Sequence, residues 1–176
     1  MVVQLDTKTV YTFMDSLISI KKYVNRAKEL GYKSLGMMDI DNLYGAYHFL
    51  EEAKAAGIQP LLGLEMEIFK DGDLLNLRLL ALDSQGYRNL MKVSTLKMMG
   101  RKNWEDFQHL FKGLALIVPA FEGVDRLDLG LDFFVGVFPD TPRQDFGRST
   151  LPLHTVRYRS EEHTSELQSP SLISYA

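Results

Sequence analysis

Three carboxylates lie at or just beyond the carboxyl ends of predicted strands, namely Asp6, Asp39 and Glu65. Each of them follows a short β-branched or apolar run that predicts a buried strand. In folds built from β-α units, chemistry gathers at this end of the strands. Two or three carboxylate oxygens that meet there are able to hold a hydrated magnesium or manganese ion weakly.

The same residues also have a structural interpretation. Asp39 and Asp41 precede a predicted helix and are placed to cap its N-terminus. Glu65 is able to pair with an Arg or Lys on the same face of the sheet. From these residues alone, a weak cation site and a purely structural role both remain open.

The elements that must position these carboxylates alternate between strand and helix. Predicted strands lie near residues 2–5, 35–38 and 60–64. The first helix is capped by Ser16 and ends at Gly31, and the second runs from Leu43 to Ala56 before Gly57. This alternation predicts a parallel α/β architecture, either a barrel or an open doubly wound sheet.

After Glu65 the pattern changes to a predicted hairpin. Residues 66–69 and 74–82 flank an Asp71-Gly72 turn. A third helix is capped by Ser84 and ends before Gly100. The remaining predicted elements are a short helix over 104–111 and strands over 114–118, 133–138 and 151–158.

Composition excludes several classes of protein. The chain has 176 residues, a formal net charge of -3 and no cysteine. Disulfides, thiolate metal sites and a cysteine nucleophile are therefore excluded, and a reducing cytosol fits this composition. No apolar run approaches the roughly 20 residues that a membrane-spanning helix needs. We therefore expect one globular domain, or part of one, in the cytoplasm and without membrane contact.

A local basic cluster is the best sequence-level case for nucleic-acid contact. Lys92, Lys97, Arg101 and Lys102 fall near the end of the third predicted helix. Phosphate contacts from such a cluster would give salt-dependent affinity. The favoured interpretation is simpler, because cations near the C-terminus of a helix complement its dipole.

Residues 159–176 differ from the rest of the chain. Their serine-rich, aperiodic sequence is typical of disorder. The stretch Arg159 to Ser169 also resembles an in-frame translation of a sequencing-library adapter. We therefore predict one partial domain over residues 1–158 and a non-native, disordered tail over 159–176.

Several segments resemble the polymerase and histidinol phosphatase (PHP) domain, in the form found at the N-terminus of bacterial DNA polymerase III alpha subunits. The resemblance is carried by residues 11–16, 27–31, 38–45, 55–58, 63–65 and 86–92. It implies an α/β fold, a partial distorted seven-stranded β/α barrel of the TIM-like kind. It also implies that the chain stops before the closing strands and leaves an open sheet edge.

The resemblance also implies a degenerate metal site. Where active members of the family carry His-x-His, this chain has Gln4-Leu5-Asp6, and Ile40 replaces the histidine that follows Asp39. The Gly-x-Glu motif is kept at Glu65, while Thr155-Val156-Arg157 replaces a late Asp-x-His. Asp6, Asp39 and Glu65 are then vestigial metal-site positions, with no catalytic residue and no resident metal.

The resemblance implies a role within a larger replicative enzyme. The parent would be a DNA-directed DNA polymerase that uses magnesium in a region outside this chain. The implied partners are the other domains of the parent and the subunits of the replisome, with DNA contacted through the parent. The alternative is residual hydrolysis at Asp6, Asp39 and Glu65, as a metal-dependent phosphoesterase or a 3'-5' exonuclease with weakly bound manganese or magnesium.

Overall fold

The computed structural model describes residues 3–13, 15–142 and 144–156. Its helices are α1 (Ile20–Glu29), α2 (Ala46–Ala56), α3 (Ser84–Met98) and the single turn α4 (Trp104–Phe107), which continues as a 3-10 turn over Gln108–Leu110. Its strands are β1 (Ser34–Ile40), β2 (Gln59–Lys70), β3 (Asp73–Ala81), β4 (Leu114–Pro119), β5 (Phe134–Val137) and β6 (Thr150–Pro152). The predicted tail over 159–176 lies outside the described residues.

The six strands form one curled sheet in sequence order, β1-β2-β3-β4-β5-β6. The β1-β2, β4-β5 and β5-β6 pairs are parallel, whereas β3 runs antiparallel to both of its neighbours. Helices α1 and α2 precede and follow β1, as the β-α alternation predicts. The expected α/β class and the partial barrel are confirmed.

The N-terminal segment pairs with β1 on one side and with Val156, beyond β6, on the other. Gln4 forms a parallel bridge with Leu35 of β1, and Thr7 forms one with Val156. The Lys8 amide donates to the Val156 carbonyl at 3.0 Å, and the Met38 amide donates to the Thr7 carbonyl at 2.9 Å. The segment therefore has backbone partners on both sides, and the open edge expected from the missing closing strands stays a prediction.

The antiparallel excursion is the predicted hairpin. Asp71 and Gly72 both have positive φ, at 53° and 95°, as a two-residue hairpin turn requires. The turn places Lys70 opposite Asp73, and the register continues back to Gly63 opposite Leu80. The predicted Asp71-Gly72 turn is confirmed.

The helix caps differ from the predicted ones. Ser19, not Ser16, caps α1 by accepting from the Lys22 amide, and Asp83, not Ser84, caps α3 by accepting from the Gly86 amide at 2.7 Å. Helix α2 begins at Ala46, and the N-cap residue before it, Gly45, supplies no side-chain cap. The predicted capping role of Asp39 and Asp41 is therefore wrong.

The hydrophobic core lies between the helices and one face of the sheet. Alternate residues of β2 and β3, such as Leu64, Met66, Leu77 and Leu79, are fully buried there. This alternation follows from the pleat, because successive side chains of a strand point to opposite faces. The intervening residues of the same strands must therefore face away from the helices, toward the inside of the curled sheet.

A substitution at Gly36 tests how closely the N-terminal segment packs against β1. A Cβ at Gly36 would lie 2.4 Å from the Leu5 carbonyl oxygen, which is backbone and unable to rotate away. We expect Gly36→Ala to lower the free energy of unfolding by about 1–3 kcal/mol, the usual cost of overpacking. Urea denaturation measures this change.

Gly136→Ala is the matched control for this prediction. A Cβ at Gly136 would approach the terminal methyl of Leu153 at 2.6 Å, and that flexible side chain is able to move. The control should therefore be the milder of the two variants. Equal effects would show that the close approach of residues 4–5 to β1 is not what Gly36 protects.

Candidate functional site

The inner face of the β2-β3 hairpin carries an acid and a base side by side. Glu65 and Arg78 are direct partners in the antiparallel register. Direct partners share one face of a sheet, so both side chains lie opposite the helix-covered core. The Arg78 Nη2 atom lies 3.2 Å from Glu65 Oε2.

The N-terminal segment adds a second acid and a second base. Asp6 and Lys8 are two residues apart along an extended segment, so they point to the same side. Both side chains are completely buried, and Lys8 Nζ lies 2.6 Å from Asp6 Oδ1. A fully buried lysine is uncommon in proteins unless its charge is paired.

These two pairs form one network of four charges. Lys8 Nζ lies 2.5 Å from Glu65 Oε2, and Arg78 Nε lies 3.0 Å from Asp6 Oδ2. Each carboxylate thus contacts both cations, and the two negative and two positive charges sum to zero. Such a closed arrangement is what buried charges need to offset the cost of leaving water.

Neutral groups also donate hydrogen bonds to the two carboxylates. Thr155 Oγ1 donates to Asp6 Oδ2 at 2.5 Å, and Asn76 Nδ2 donates to Glu65 Oε1 at 3.1 Å. Lys8 Nζ also donates to the Met38 carbonyl at 2.6 Å. In the charge network, defined here as Asp6, Lys8, Glu65 and Arg78, both Asp6 oxygens and Glu65 Oε1 accept hydrogen bonds, whereas Glu65 Oε2 has only its ion-pair contacts with Lys8 and Arg78.

Asp39 has a separate set of partners. Its Oδ1 atom accepts from the Thr9 amide at 2.6 Å and from Thr12 Oγ1 at 2.7 Å, and its Oδ2 atom accepts from Thr9 Oγ1 at 2.7 Å. All three donors belong to the loop that follows the N-terminal segment. Asp39 therefore anchors this loop to the end of β1 and shares none of these partners with Asp6 or Glu65.

The network holds the pKa values of both of its acids below their ordinary values. Burial raises the pKa of Asp6, but the charges of Lys8 and Arg78 and the hydrogen bonds from Lys8 and Thr155 lower it by more. The pKa of Glu65 follows the same balance, with Asn76 as the neutral donor. Both residues therefore stay ionised inside the protein at neutral pH.

These pKa values predict how stability depends on pH. The folded-state pKa values of Asp6 and Glu65 are depressed, so their contribution is fully present above the unfolded values of about 3.9 and 4.3. It is lost as the pH falls through the folded-state values. We expect the urea midpoint to drop between about pH 5 and about pH 2, more steeply for the native chain than for Glu65→Gln. A pH dependence identical in both chains would contradict this assignment.

Sequence reasoning found the acids of this site but missed their partners. Asp6 and Glu65 share Lys8 and Arg78 as partners, whereas Asp39, the third predicted position, binds Thr9 and Thr12 instead. The structural interpretation of Glu65, a pairing with an Arg or Lys, is confirmed in Lys8 and Arg78. Gln4, in place of a family histidine, donates from Nε2 to the His154 carbonyl. Arg157 lies outside the described residues. Among the residues that the structure describes, no group of three or more His, Asp or Glu side chains is arranged to hold a metal ion.

Only part of the predicted basic cluster is available for contacts with phosphates. Lys97 lies 3.2 Å from Asp41 and donates to the Glu67 carbonyl at 2.6 Å, with its side chain mostly buried. Arg101 lies at 4.0 Å from Asp106. Lys92 and Lys102 are exposed. Two members of the cluster thus contact acids of the chain, which weakens the case for a phosphate-binding surface.

No helix in the described part of the chain is long and apolar enough to cross a membrane. This finding agrees with the length of the helices, the longest of which is α3 with 15 residues.

Known proteins resemble this chain in sequence and, more distantly, in structure. It is 44% identical over 169 residues to the DNA polymerase III subunit alpha of Streptococcus pyogenes serotype M1, covering 95% of this chain and 16% of that protein. It is 33% identical over 127 residues to the subunit of the same name from Bacillus subtilis, covering 69% of this chain and 11% of that protein. A solved amidohydrolase from Chromobacterium violaceum superposes with a TM-score of 0.48 at 10% identity, covering 66% of each chain.

The sequence also matches the family model of the PHP domain over residues 4–131. That span includes the N-terminal segment, α1 to α3 and β1 to β4, and therefore every member of the charge network. The chain spans about a sixth of the length of the Streptococcus relative, so the match lies in one region of that relative. This chain belongs to the PHP domain family.

Proposed function

We propose that this chain is a region of a DNA polymerase III alpha subunit in which the PHP domain is a structural, non-hydrolytic part. The parent would be a DNA-directed DNA polymerase of chromosome replication, acting in the cytoplasm with magnesium bound elsewhere. The identity of 44% to a polymerase subunit of Streptococcus pyogenes supports the parent's role. The partners would be the other domains of the parent and the subunits of the replisome, and DNA would be contacted through the parent.

One observation carries the structural role of the domain: the acids of the site are bound by fixed groups of the chain itself. Asp6 and Glu65 contact Lys8 and Arg78, and Asp39 accepts three hydrogen bonds from Thr9 and Thr12. Catalytic sites of this family would need neutral imidazoles and free carboxylates as metal ligands. These side chains do not fit a divalent cation, because two positive charges already occupy the space between the acids.

The structural consequence of this arrangement is a rigid base for the domain. The charge network connects residues 6–8 to β2 and β3, and Thr155 connects the same acid to the last described segment. Contacts of this kind hold together parts of the chain that are far apart in sequence. A replicative polymerase would gain a fixed N-terminal platform from them, without a second hydrolytic centre.

A chimeric polymerase tests the proposed parent. In this experiment, residues 1–158 of this chain replace the corresponding region of the Streptococcus pyogenes subunit. The chimera should extend a primed template with magnesium at a rate close to that of the unmodified subunit. The 176-residue chain alone should extend nothing. A chimera that is folded but inactive, or an isolated chain that extends primers, would contradict the proposal.

A hydrolysis assay tests the alternative of residual phosphoesterase or 3'-5' exonuclease activity. The isolated chain is incubated with manganese and either bis(p-nitrophenyl) phosphate or end-labelled single-stranded DNA. We expect no product above that of an Asp39→Ala, Glu65→Ala double variant. Manganese-dependent cleavage that disappears in the double variant would instead assign the alternative activity to this site.

A further inference from the structure

The Lys8 ammonium lies among oxygens that are typical of a metal site. Its nitrogen contacts Asp6 Oδ1 at 2.6 Å, Glu65 Oε2 at 2.5 Å and the Met38 carbonyl oxygen at 2.6 Å. Two carboxylates and a main-chain carbonyl are ligands that hard divalent cations prefer. The three oxygens come from three separate segments of the chain and converge on one buried point.

The three oxygens face one position. Because Asp6 Oδ1, Glu65 Oε2 and the Met38 carbonyl oxygen all contact the same nitrogen, a cation at that point would contact all three. Removing the ammonium would leave these oxygens without their shared cation.

We propose that the Lys8 ammonium is the resident cation of this PHP site and excludes divalent metals, and that shortening Lys8 uncovers a latent divalent-cation site formed by Asp6, Glu65 and the Met38 carbonyl. The inference rests on the proposed structural function, since it explains why this domain does not need a metal. With Lys8 present the network is neutral, and an added dication would bring two uncompensated charges. Without Lys8 the two acids exceed Arg78 by one negative charge, which favours a dication.

Arg78 is the second cation of the network, but it does not take the same position. Its guanidinium contacts Asp6 Oδ2, which Lys8 does not contact, shares Glu65 Oε2 with the ammonium, and lies 5.2 Å from the Phe138 ring centre. It also donates to Asn76 Oδ1 at 2.9 Å. Arg78 therefore holds the two acids in place from one side, and it should do so as well when a metal replaces Lys8.

Manganese binding to the 176-residue chain tests this inference. Electron paramagnetic resonance measures the free Mn²⁺ that remains after titration of the native chain and of Lys8→Ala. We expect about one Mn²⁺ per chain for Lys8→Ala, with an affinity at least about tenfold above that of the native chain. Lys54→Ala, at an exposed position of α2, is the control and should behave as the native chain does.

One further variant and one further measurement keep the test decisive. Adding Glu65→Gln to Lys8→Ala removes a proposed ligand and should abolish the gained binding. If Lys8→Ala is unfolded without metal, circular dichroism should show that Mn²⁺ restores the folded state. Tight binding by the native chain, or a Lys8→Ala chain that neither binds Mn²⁺ nor is folded by it, would overturn the inference. Neither result would alter the primer extension expected of the chimera, so the two proposals fail separately.

Discussion

Lys8→Met should destabilise the folded chain by about 3–5 kcal/mol, the usual cost of removing one partner from a buried ion pair. The native ammonium lies within 2.6 Å of both Asp6 and Glu65 and is completely buried. Methionine fills most of the space of the aliphatic stem but brings no charge. Arg78 would then be the only cation of the network facing two buried carboxylates.

Urea denaturation at neutral pH measures this effect. Lys54→Met is the matched control, because it makes the same substitution at an exposed position of α2 and should change stability by less than about 0.5 kcal/mol. The cost of Lys8→Met should shrink at low pH, where protonation of Asp6 and Glu65 removes the uncompensated charges. A cost below about 1 kcal/mol would mean that the network does not stabilise the fold.

Asp39→Ala is expected to have the second largest effect, a loss of about 3 kcal/mol. Hydrogen bonds to a charged group contribute about 1.5–3 kcal/mol each, and they are not additive. Asp39 accepts three of them, from the amide and hydroxyl of Thr9 and from the hydroxyl of Thr12. Its removal leaves these buried donors without their acceptor, so the loop over residues 9–12 should detach from the end of β1.

Hydrogen exchange locates this second effect, in addition to urea denaturation. The Thr9 amide should lose its protection in Asp39→Ala, whereas amides in the β2-β3 hairpin should keep theirs. Asp132→Ala removes a carboxylate from an exposed position and is the control. Retained protection at Thr9, or a stability equal to that of the control, would contradict the anchoring role of Asp39.

One pair of the charge network is predictable from the sequence, by counting the strand register outward from the hairpin turn. A two-residue turn at Asp71-Gly72 pairs Lys70 with Asp73, and the same register pairs Glu65 with Arg78. The alternation of leucine with Asn76 and Arg78 along β3 also places the polar residues on one face. The predicted turn is therefore sufficient to identify Arg78 as the cross-strand partner of Glu65.

Lys8 was harder to identify, although a signal was present. Gln4, Asp6 and Lys8 occupy alternate positions of the N-terminal segment, a spacing that predicts one shared side in an extended chain. The two histidine positions of the family motif correspond to Gln4 and Asp6, and the motif does not extend to Lys8. The contact between Lys8 and Glu65 joins segments far apart in sequence, and no local pattern specifies how the curled sheet brings them together.

The predicted N-caps of α1 and α3 were wrong because each helix start has two nearby residues that are both good caps. Ser16 and Ser19 both suit the start of α1, and Asp83 and Ser84 both suit the start of α3. Asp39 was assigned to a helix that begins only at Ala46, because the loop between them is longer than the apolar pattern suggested. Tertiary contact with Thr9 and Thr12 decides its role instead.

Nitrogen-15 NMR of the 176-residue chain distinguishes a lysine ammonium from a metal as the cation of this site, through the side-chain ammonium signal of Lys8. We expect a signal that exchanges slowly with water and is not broadened by added Mn²⁺, because the ammonium is buried between Asp6 and Glu65. A signal that exchanges rapidly, or that disappears at substoichiometric Mn²⁺, would contradict it.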